Sequence, residues 1–415
     1  MSYLGLILSG GGARAAYEAG VIYYIRTALP PKAASRSFDI QCGSSAGAIN
    51  TAAMVSMADN PLKQGEHLKK LWLELKPEEV YERDFSAALK FFFFSLGGII
   101  RNLTTFDIFK LVTRGGPHFN SLLDNTPLRH FLKEKIQWKK IEENVQQGPV
   151  SAISITVTNA RSGRAELFIY RKKEINYTGG YRIHEGPIQL EYVLASSAIP
   201  LVFPTIPINK IYYTDGGVRL YTPMSPALQL GADRLLIIGL HHPATQEERD
   251  DFDLKEMKYP PSIAQLAGRL MNLMFIDSVK YDLEQLKRIN RLIERGEKIY
   301  GKDYLQKINR DIQEHQVGES EVKPLKKIEV VEILPSDFIS ALFERWFNKV
   351  KKGNHQFSSL EKLLIRLLDF DAEGAVELLS YLTFSNEYIR ELFDLGYEDA
   401  KKNRHRLIKI LEVRS

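Results

Sequence analysis

The sequence is poor in cysteine and lacks a long hydrophobic run. Its single cysteine, Cys42, excludes a disulfide within the chain and fits a reducing compartment. The longest apolar run, Phe91–Ile100, is interrupted by a serine and two glycines, whereas a helix that spans a bilayer needs about 20 apolar residues. The N-terminus has no basic segment typical of a signal peptide. We therefore expect a cytoplasmic or peripheral membrane protein, without a signal peptide or transmembrane helix.

A strong excess of charge is also missing. The chain has 56 basic and 51 acidic residues, a net charge of +5, and no arginine-rich tract. This balance argues against a nucleic-acid partner but is compatible with transient contact with an anionic membrane surface. The four phenylalanines that open Phe91–Ile100 could form a lipid-facing patch at the entrance to a site, or belong to the core.

Short strands and helices alternate in the first 60 residues. Apolar patterning predicts strands at Tyr3–Leu8 and Phe38–Cys42, each followed by a helix, at Ala13–Leu29 and Ala46–Met57. Such alternation on short connections predicts a parallel sheet covered by helices on both faces. A final strand is expected at Ile328–Leu334, and a charged, helical region follows it.

The segment Gly43-Ser44-Ser45-Ala46-Gly47 fits the G-x-S-x-G nucleophile elbow. This motif requires a serine on a sharp turn between a strand and a helix, where small neighbours leave the hydroxyl exposed. The predicted strand and helix lie on the correct sides. Ser45 is therefore the expected nucleophile, with Gly43 and Gly47 supporting the turn.

A second glycine-rich turn follows the first strand. Free backbone N–H groups at such a turn can stabilise a developing oxyanion, and we expect this role of Gly10, Gly11, Gly12, Ala13 and Arg14. The same turn satisfies the loose dinucleotide pattern G-x-G-x-x-G/A. That reading requires an acidic residue at the end of the second strand, where the sequence has the serine elbow instead.

Arg14 is unusual because the macrodipole disfavours a cation in the first turn of a helix. Its side chain could orient the loop, meet a phosphate, or lie on the surface with only its charged end in water. These alternatives remain open at the level of sequence.

Asp215 ends the predicted strand Ile211–Thr214 and precedes Gly216 and Gly217. Carboxylates at strand ends often lie where α/β sheets bind ligands, although Asp-Gly is also a common turn. Because the two other motifs are also present, we expect Asp215 to act as the catalytic base. His241 and His242 follow a later strand and could complete a triad, but too few strands precede the elbow for an α/β-hydrolase. We favour a Ser45–Asp215 dyad.

Together these residues resemble the patatin-like phospholipase family. The family combines a GGGxRG-type oxyanion loop, a GxSxG nucleophile and a DGG or DGA motif, which correspond here to Gly10–Ala15, Gly43–Gly47 and Asp215–Gly217. The segments Leu122–Leu132 and Ala195–Pro204 are also similar to the family. Ser380–Ala400 resembles bacterial members with a helical C-terminal extension. Ala15 departs from the usual glycine, which is harmless if this position is already helical.

The resemblance implies a three-layer α/β/α patatin-like fold with a mainly parallel central sheet. We expect a catalytic domain at residues 1–338, with its core at 1–245 and a helical and final-strand part at 246–338, and a helical extension at 339–415. The implied reaction is hydrolysis of fatty-acyl esters of phospholipids or lysophospholipids through an acyl-enzyme. Amides near Gly11 and Gly12 would bind the oxyanion, and neither a metal nor a cofactor is implied. An acyltransferase that uses the same intermediate, or a non-catalytic lipid-binding module, remains an alternative.

Overall fold

The computed structural model describes residues 2–81, 121, 123–200, 202–243, 245, 247–248, 283–315, 324–352 and 373–412. The aromatic run Phe91–Ile100 lies outside these residues, so its expected lipid-facing role stays a prediction. A long helix is described from residue 283 to residue 300.

One mixed sheet contains the nine strands of the described part of the chain. The strands are β1 Tyr3–Leu8, β2 Ile40–Ser44, β3 Ala152–Asn159, β4 Ala165–Arg171, β5 Arg182–Glu185, β6 Ile206–Ile208, β7 Ile211–Asp215, β8 Ala232–Ile238 and β9 Glu329–Ile333. Their order is β5-β4-β3-β2-β1-β8-β9, and β7 pairs with both β3 and β6. Five consecutive strands of this order are parallel to one another, namely β3, β2, β1, β8 and β9.

Helices cover both faces of this sheet. They are α1 Ala16–Ala28, α2 Pro31–Ala34, α3 Ala46–Ser56, α4 Pro61–Glu74, α5 Pro77–Val80, α6 Thr126–Lys135, α7 Trp138–Gln146, α8 Leu190–Ser196, α9 Met224–Gln229, α10 at 283–300, α11 Tyr304–Glu314, α12 Ile339–Lys352, α13 Glu373–Leu382, α14 Asn386–Lys402 and α15 Arg404–Leu411. Short 3-10 helices occupy Gly12–Ala15 and Gly216–Val218.

Alternation along β1 separates two apolar cores. Leu4, Leu6 and Leu8 pack in one core with α1, α3 and the C-terminal helices. Ile7 faces the other core, which includes residues of α9 and α10. Because successive side chains of a strand point to opposite faces, the sheet is the middle layer of a three-layer α/β/α arrangement. This arrangement, with its mostly parallel sheet and helical C-terminal region, confirms the expected fold class.

The sequence pattern does not predict two of the strands, β5 and β6. β5 has the sequence RIHE and is partly exposed, so it lacks the apolar alternation that marks a half-buried strand. β6 has only three residues, and Pro207 at its centre argues against a strand except at a sheet edge. β6 does lie at an edge, since it pairs with β7 alone.

The C-terminal helices lie directly against the N-terminal part of the fold. α14 packs along α1, and this contact depends on two glycines. A Cβ atom on Gly20 would collide with the carbonyl of Phe393, and one on Gly396 with the carbonyl of Tyr17. The division between 1–338 and 339–415 stays a prediction. No helix in the described ranges is long and apolar enough to cross a bilayer.

Candidate active site

Ser45 lies on a sharp turn between β2 and α3. Its backbone has φ 53° and ψ −128°, a conformation that residues other than glycine rarely adopt. The turn is also crowded. A Cβ atom on Gly43 would collide with the carbonyl of Gly47, and one on Gly47 would collide with the carbonyls of Leu8 and Ser9. These contacts explain why the motif requires glycine on both sides of the serine.

Ser45 and Asp215 are in direct contact. The Ser45 hydroxyl donates a hydrogen bond of 2.6 Å from Oγ to Oδ2 of Asp215. Strand β3 sets this proximity, because Thr156 pairs with Ser44 and the next residue, Val157, pairs with Asp215. Asp215 is the last residue of β7, so it lies at a strand end as expected, but β7 runs antiparallel to β3. It reaches the site because β3 extends beyond the end of β2.

The Asp215 carboxyl group is fully buried, and burial raises its pKa to about 7. Two hydrogen bonds oppose this rise, one from the Ser45 hydroxyl and one of 2.6 Å from the Gly217 amide to Oδ1. Gly216 allows a close approach, since a Cβ atom there would collide with the carbonyl of Thr156. A carboxyl group with this pKa can gain and lose a proton near neutral pH.

Ser196 supports the nucleophile turn and was missed by the sequence reasoning. Its hydroxyl accepts a hydrogen bond of 2.9 Å from the Ser45 amide and donates one of 2.6 Å to the carbonyl of Thr156. The neighbouring carbonyl of Ala198 accepts from the Asp215 amide at 2.9 Å. The end of α8 and the residues just after it therefore hold both Ser45 and Asp215. Its only signal in the sequence was the family-like stretch Ala195–Pro204.

The glycine-rich loop lies beside Ser45, and its amides have different partners. The Gly10 amide donates to the carbonyl of Tyr221 at 3.0 Å, and the Arg14 amide donates to the carbonyl of Gly11 at 3.1 Å. These two amides are engaged within the fold. Among the hydrogen bonds of the described residues, none uses the amides of Gly11 or Gly12. Gly12 also lines the same pocket as Ser45. Of the five residues expected to bind the oxyanion, Gly10 and Arg14 therefore have amides that are already engaged, and the role of the other three stays a prediction.

The two unusual residues of this loop have structural explanations. Ala15 has φ −68° and ψ −7°, which is right-handed helical, so alanine is compatible with this position as expected. Arg14 is 3% exposed, so the alternative of a surface arginine is wrong. Its guanidinium instead contacts α13, where it forms an ion pair of 2.6 Å with Glu377.

A buried polar network lies beneath the loop. Glu18 accepts hydrogen bonds from the Ser9 amide at 2.7 Å and from the Asn50 amide group at 2.8 Å. Trp72 donates to Asn50 at 2.7 Å. Burial raises the pKa of Glu18 well above its usual range. The network connects the loop to α3 and α4, and the sequence pattern contained no signal for it.

An apolar pocket adjoins Ser45 and Gly12. Its walls come from α3, α4, α6, the end of α13 and the residues just after it, and they include Ile49, Leu71, Leu128, Phe131, Leu382 and Phe384. A pocket with such walls suits a hydrocarbon chain better than a polar group.

Two histidines, His184 and His242, have polar partners away from Ser45 and Asp215. His242 contacts the carbonyl of Pro335 at 3.0 Å and Glu248 at 3.5 Å. His184 contacts Glu166 at 2.7 Å. No hydrogen bond between described residues joins a histidine to Ser45 or Asp215. Within the same residues, no group of three His, Cys, Asp or Glu side chains is arranged to hold a metal.

The chain is similar to a known protein family in sequence and to several solved structures in fold. The sequence model of the family described as Patatin-like phospholipase matches residues 6–228, more than half of the chain. No curated protein gives a significant match. The similar solved structures include VipD from Legionella pneumophila, with 14% identity, 95% of this chain and 67% of that chain covered, and a TM-score of 0.29.

They also include human GIVD cytosolic phospholipase A2 in complex with methyl gamma-linolenyl fluorophosphonate. The identity is 12%, 99% of this chain and 59% of that chain are covered, and the TM-score is 0.35. This chain thus spans about three fifths of the length of the human protein in that structure. Because these structural similarities are so distant, only the match to the sequence model assigns the chain to a family. The chain belongs to the patatin-like phospholipase family.

Proposed function

We propose that this protein is a lipid acyl hydrolase of the phospholipase A or lysophospholipase type, with Ser45 as nucleophile and Asp215 as its base. Membership of the patatin-like phospholipase family supports a lipid-hydrolysing esterase. The observation that carries the specific proposal is the 2.6 Å hydrogen bond from Ser45 to the buried Asp215 carboxyl. A nucleophile and base within hydrogen-bond reach are the geometric requirement for this chemistry.

In the proposed first step, the Ser45 oxygen attacks the ester carbonyl while Asp215 accepts the hydroxyl proton. The tetrahedral intermediate then collapses, and Asp215 returns the proton to the departing alcohol. This leaves an acyl-enzyme on Ser45. In the second step, Asp215 takes a proton from water, the resulting hydroxide attacks the acyl-enzyme, and the proton returns to Ser45 as the fatty acid leaves. These steps require neither a metal nor an organic cofactor.

The developing negative charge would be bound by backbone amides of the glycine-rich loop. The amides of Gly11 and Gly12 support this role, since no hydrogen bond between described residues occupies them and Gly12 borders the pocket beside Ser45. Donors directed at the oxyanion often contribute a large part of the rate enhancement.

The substrate is proposed to be a phospholipid or lysophospholipid, presented at a transient membrane surface. The apolar walls next to Ser45 support an acyl chain as the bound group. The net charge of +5 favours approach to an anionic lipid surface.

The decisive experiment is mass spectrometry of the products formed from mixed phospholipids in ¹⁸O-labelled water, with wild type and Ser45→Ala. Hydrolysis predicts ¹⁸O-labelled free fatty acid from wild type and at least about 10³-fold less from Ser45→Ala. An acyltransferase would instead form an acylated acceptor, and its yield would depend on added acceptor. Binding of vesicles without any product would favour a non-catalytic module, and equal turnover by both proteins would overturn the role of Ser45.

A further inference from the structure

We propose that Glu377 and Ser380 of α13 are positioning residues for the oxyanion loop, and that they act through Arg14. This inference rests on the proposed hydrolase function. It assigns part of the catalytic geometry to the C-terminal helices, more than 360 positions from the loop in sequence.

Arg14 connects the two segments by several polar contacts. Its Nη2 atom donates to Glu377 Oε1 at 2.6 Å, and its Nε atom donates to Ser380 Oγ at 2.9 Å. Nη2 also contacts the Ser380 hydroxyl. Ser380 in turn donates to the carbonyl of Glu377 at 2.6 Å, which fixes the hydroxyl oxygen as an acceptor toward Arg14. The guanidinium therefore has a defined orientation.

The positive charge of the buried Arg14 guanidinium explains why Glu377 and Ser380 are needed as acceptors. Burial is the largest single influence on the pKa of Arg14 and lowers it, but Glu377 and nearby tyrosines together outweigh burial and raise this pKa above its ordinary value, so the guanidinium stays protonated. Arg14 lies at the start of a helix, where the macrodipole disfavours a cation. Without Glu377, a buried positive charge would remain in the loop, and the loop would have to move to rehydrate it.

A second contact brings α13 against the part of the loop that faces the pocket. Gly12 has φ +55°, and a Cβ atom there would collide with the carbonyl oxygen of Tyr381. The Tyr381 ring also packs on the Arg14 guanidinium, 3.8 Å from ring centroid to Cζ. The chain direction at Gly12 is therefore restricted by the same turn of α13 that supplies Ser380.

The position of Gly12 gives this contact a catalytic consequence. Gly12, Ser45, Tyr381 and Leu382 line one pocket. A shift of the loop would displace the proposed oxyanion donors from Ser45 without removing any group that binds the acyl chain. Such a shift should impair stabilisation of the transition state more than substrate binding.

The first test compares Glu377→Gln with Glu398→Gln in the full-length protein, using a lysophospholipid substrate. Glu398 forms an exposed ion pair with Lys401 at 3.2 Å within α14 and controls for the loss of a surface carboxylate. We expect Glu377→Gln to lower kcat about 10- to 100-fold with KM changed less than about twofold. Glu398→Gln should leave both constants unchanged. A wild-type kcat in Glu377→Gln would overturn the proposal, as would a rise in KM with kcat unchanged.

Loss of a buried ion-pair partner can also destabilise the protein, and a second variant separates the two effects. Replacement of a whole buried ion pair by apolar residues is often neutral or stabilising, so Arg14→Met with Glu377→Leu should recover much of the Tm that Glu377→Gln loses. A positioning role predicts that kcat stays low in this double variant. Recovery of kcat together with Tm would show a purely structural role and overturn the proposal.

The same experiment distinguishes failure of this inference from failure of the proposed function. Wild type and Ser45→Ala are measured in parallel. If wild type hydrolyses the substrate, Ser45→Ala does not, and Glu377→Gln matches wild type, only the positioning role is wrong. If Ser45→Ala matches wild type, the proposed function itself is wrong.

Discussion

Ser45 donates a 2.6 Å hydrogen bond to Asp215, although 170 positions separate the two residues in the chain. β3 pairs with the strands of both residues along one edge, because β4 occupies its other edge, so the relative position of hydroxyl and carboxylate depends on sheet register. A one-residue slip of β7 would turn the Asp215 side chain to the opposite face. Strand pairing within the sheet therefore holds the two residues of the proposed dyad together.

The first prediction concerns the identity of the base. Asp215→Asn should lower hydrolysis on the order of 10³-fold or more, because an amide cannot accept the Ser45 proton. His242→Ala is the control and should retain near-wild-type activity, since His242 contacts Pro335 and Glu248 and has no contact with Ser45 or Asp215 among the described residues. Steady-state kinetics on a soluble ester measure both. If His242→Ala lost as much activity as Asp215→Asn, a triad would replace the dyad.

The second prediction concerns pH. Burial raises the pKa of Asp215 to about 7, and only the ionised carboxylate can accept a proton. The value of kcat/KM should therefore rise with pH, pass its half-maximum near pH 7, and be about 100-fold lower at pH 5 than at the plateau. A profile between pH 5 and 9 on a soluble ester measures this. A flat profile over that range would contradict a base with a raised pKa.

The third prediction tests Ser196, which neither binds the substrate nor transfers a proton in the proposed mechanism. Ser196→Ala removes the acceptor for the Ser45 amide. We expect kcat to fall about 10-fold with little change in KM, because the turn loses its orientation. Ser56→Ala is the matched control, as its hydroxyl is equally buried and donates only to the carbonyl of Ala53 in α3. Similar losses in both variants would indicate a general packing effect and would count against a specific role for Ser196.

The fourth prediction separates backbone strain from contact with α13. Gly12 and Gly163 have nearly equal positive φ angles, 55° and 66°. A Cβ atom on Gly163 would meet no atom within 4 Å, whereas one on Gly12 would collide with Tyr381. Gly163→Ala should cost about 1 kcal/mol of stability and no activity. Gly12→Ala should lose stability further and most of its activity, measured by thermal melts and ester kinetics. Equal effects of the two substitutions would show that the α13 contact is unimportant.

Much of the fold followed from local sequence patterns. The first two strands and their helices were predicted to within a few residues because apolar periodicity and glycine boundaries are short-range properties. The family assignment was also predicted correctly, since the glycine-rich loop, the serine turn and the Asp-Gly-Gly motif are contiguous segments with narrow steric requirements. The catalytic roles of Ser45, Asp215 and the loop amides remain predictions, supported by geometry.

Sequence by itself determined which residues can make a tight turn, a nucleophile elbow and an apolar strand, because adjacent residues decide backbone conformation and burial pattern. Only the tertiary structure decided that β7 is antiparallel, that Ser196 supports Ser45, and that Arg14 pairs with Glu377. These contacts join segments between about 60 and 360 positions apart, and their partners carry no local signature. Long-range packing selects them, since a buried polar group is stable only beside a partner that the folded chain brings to it.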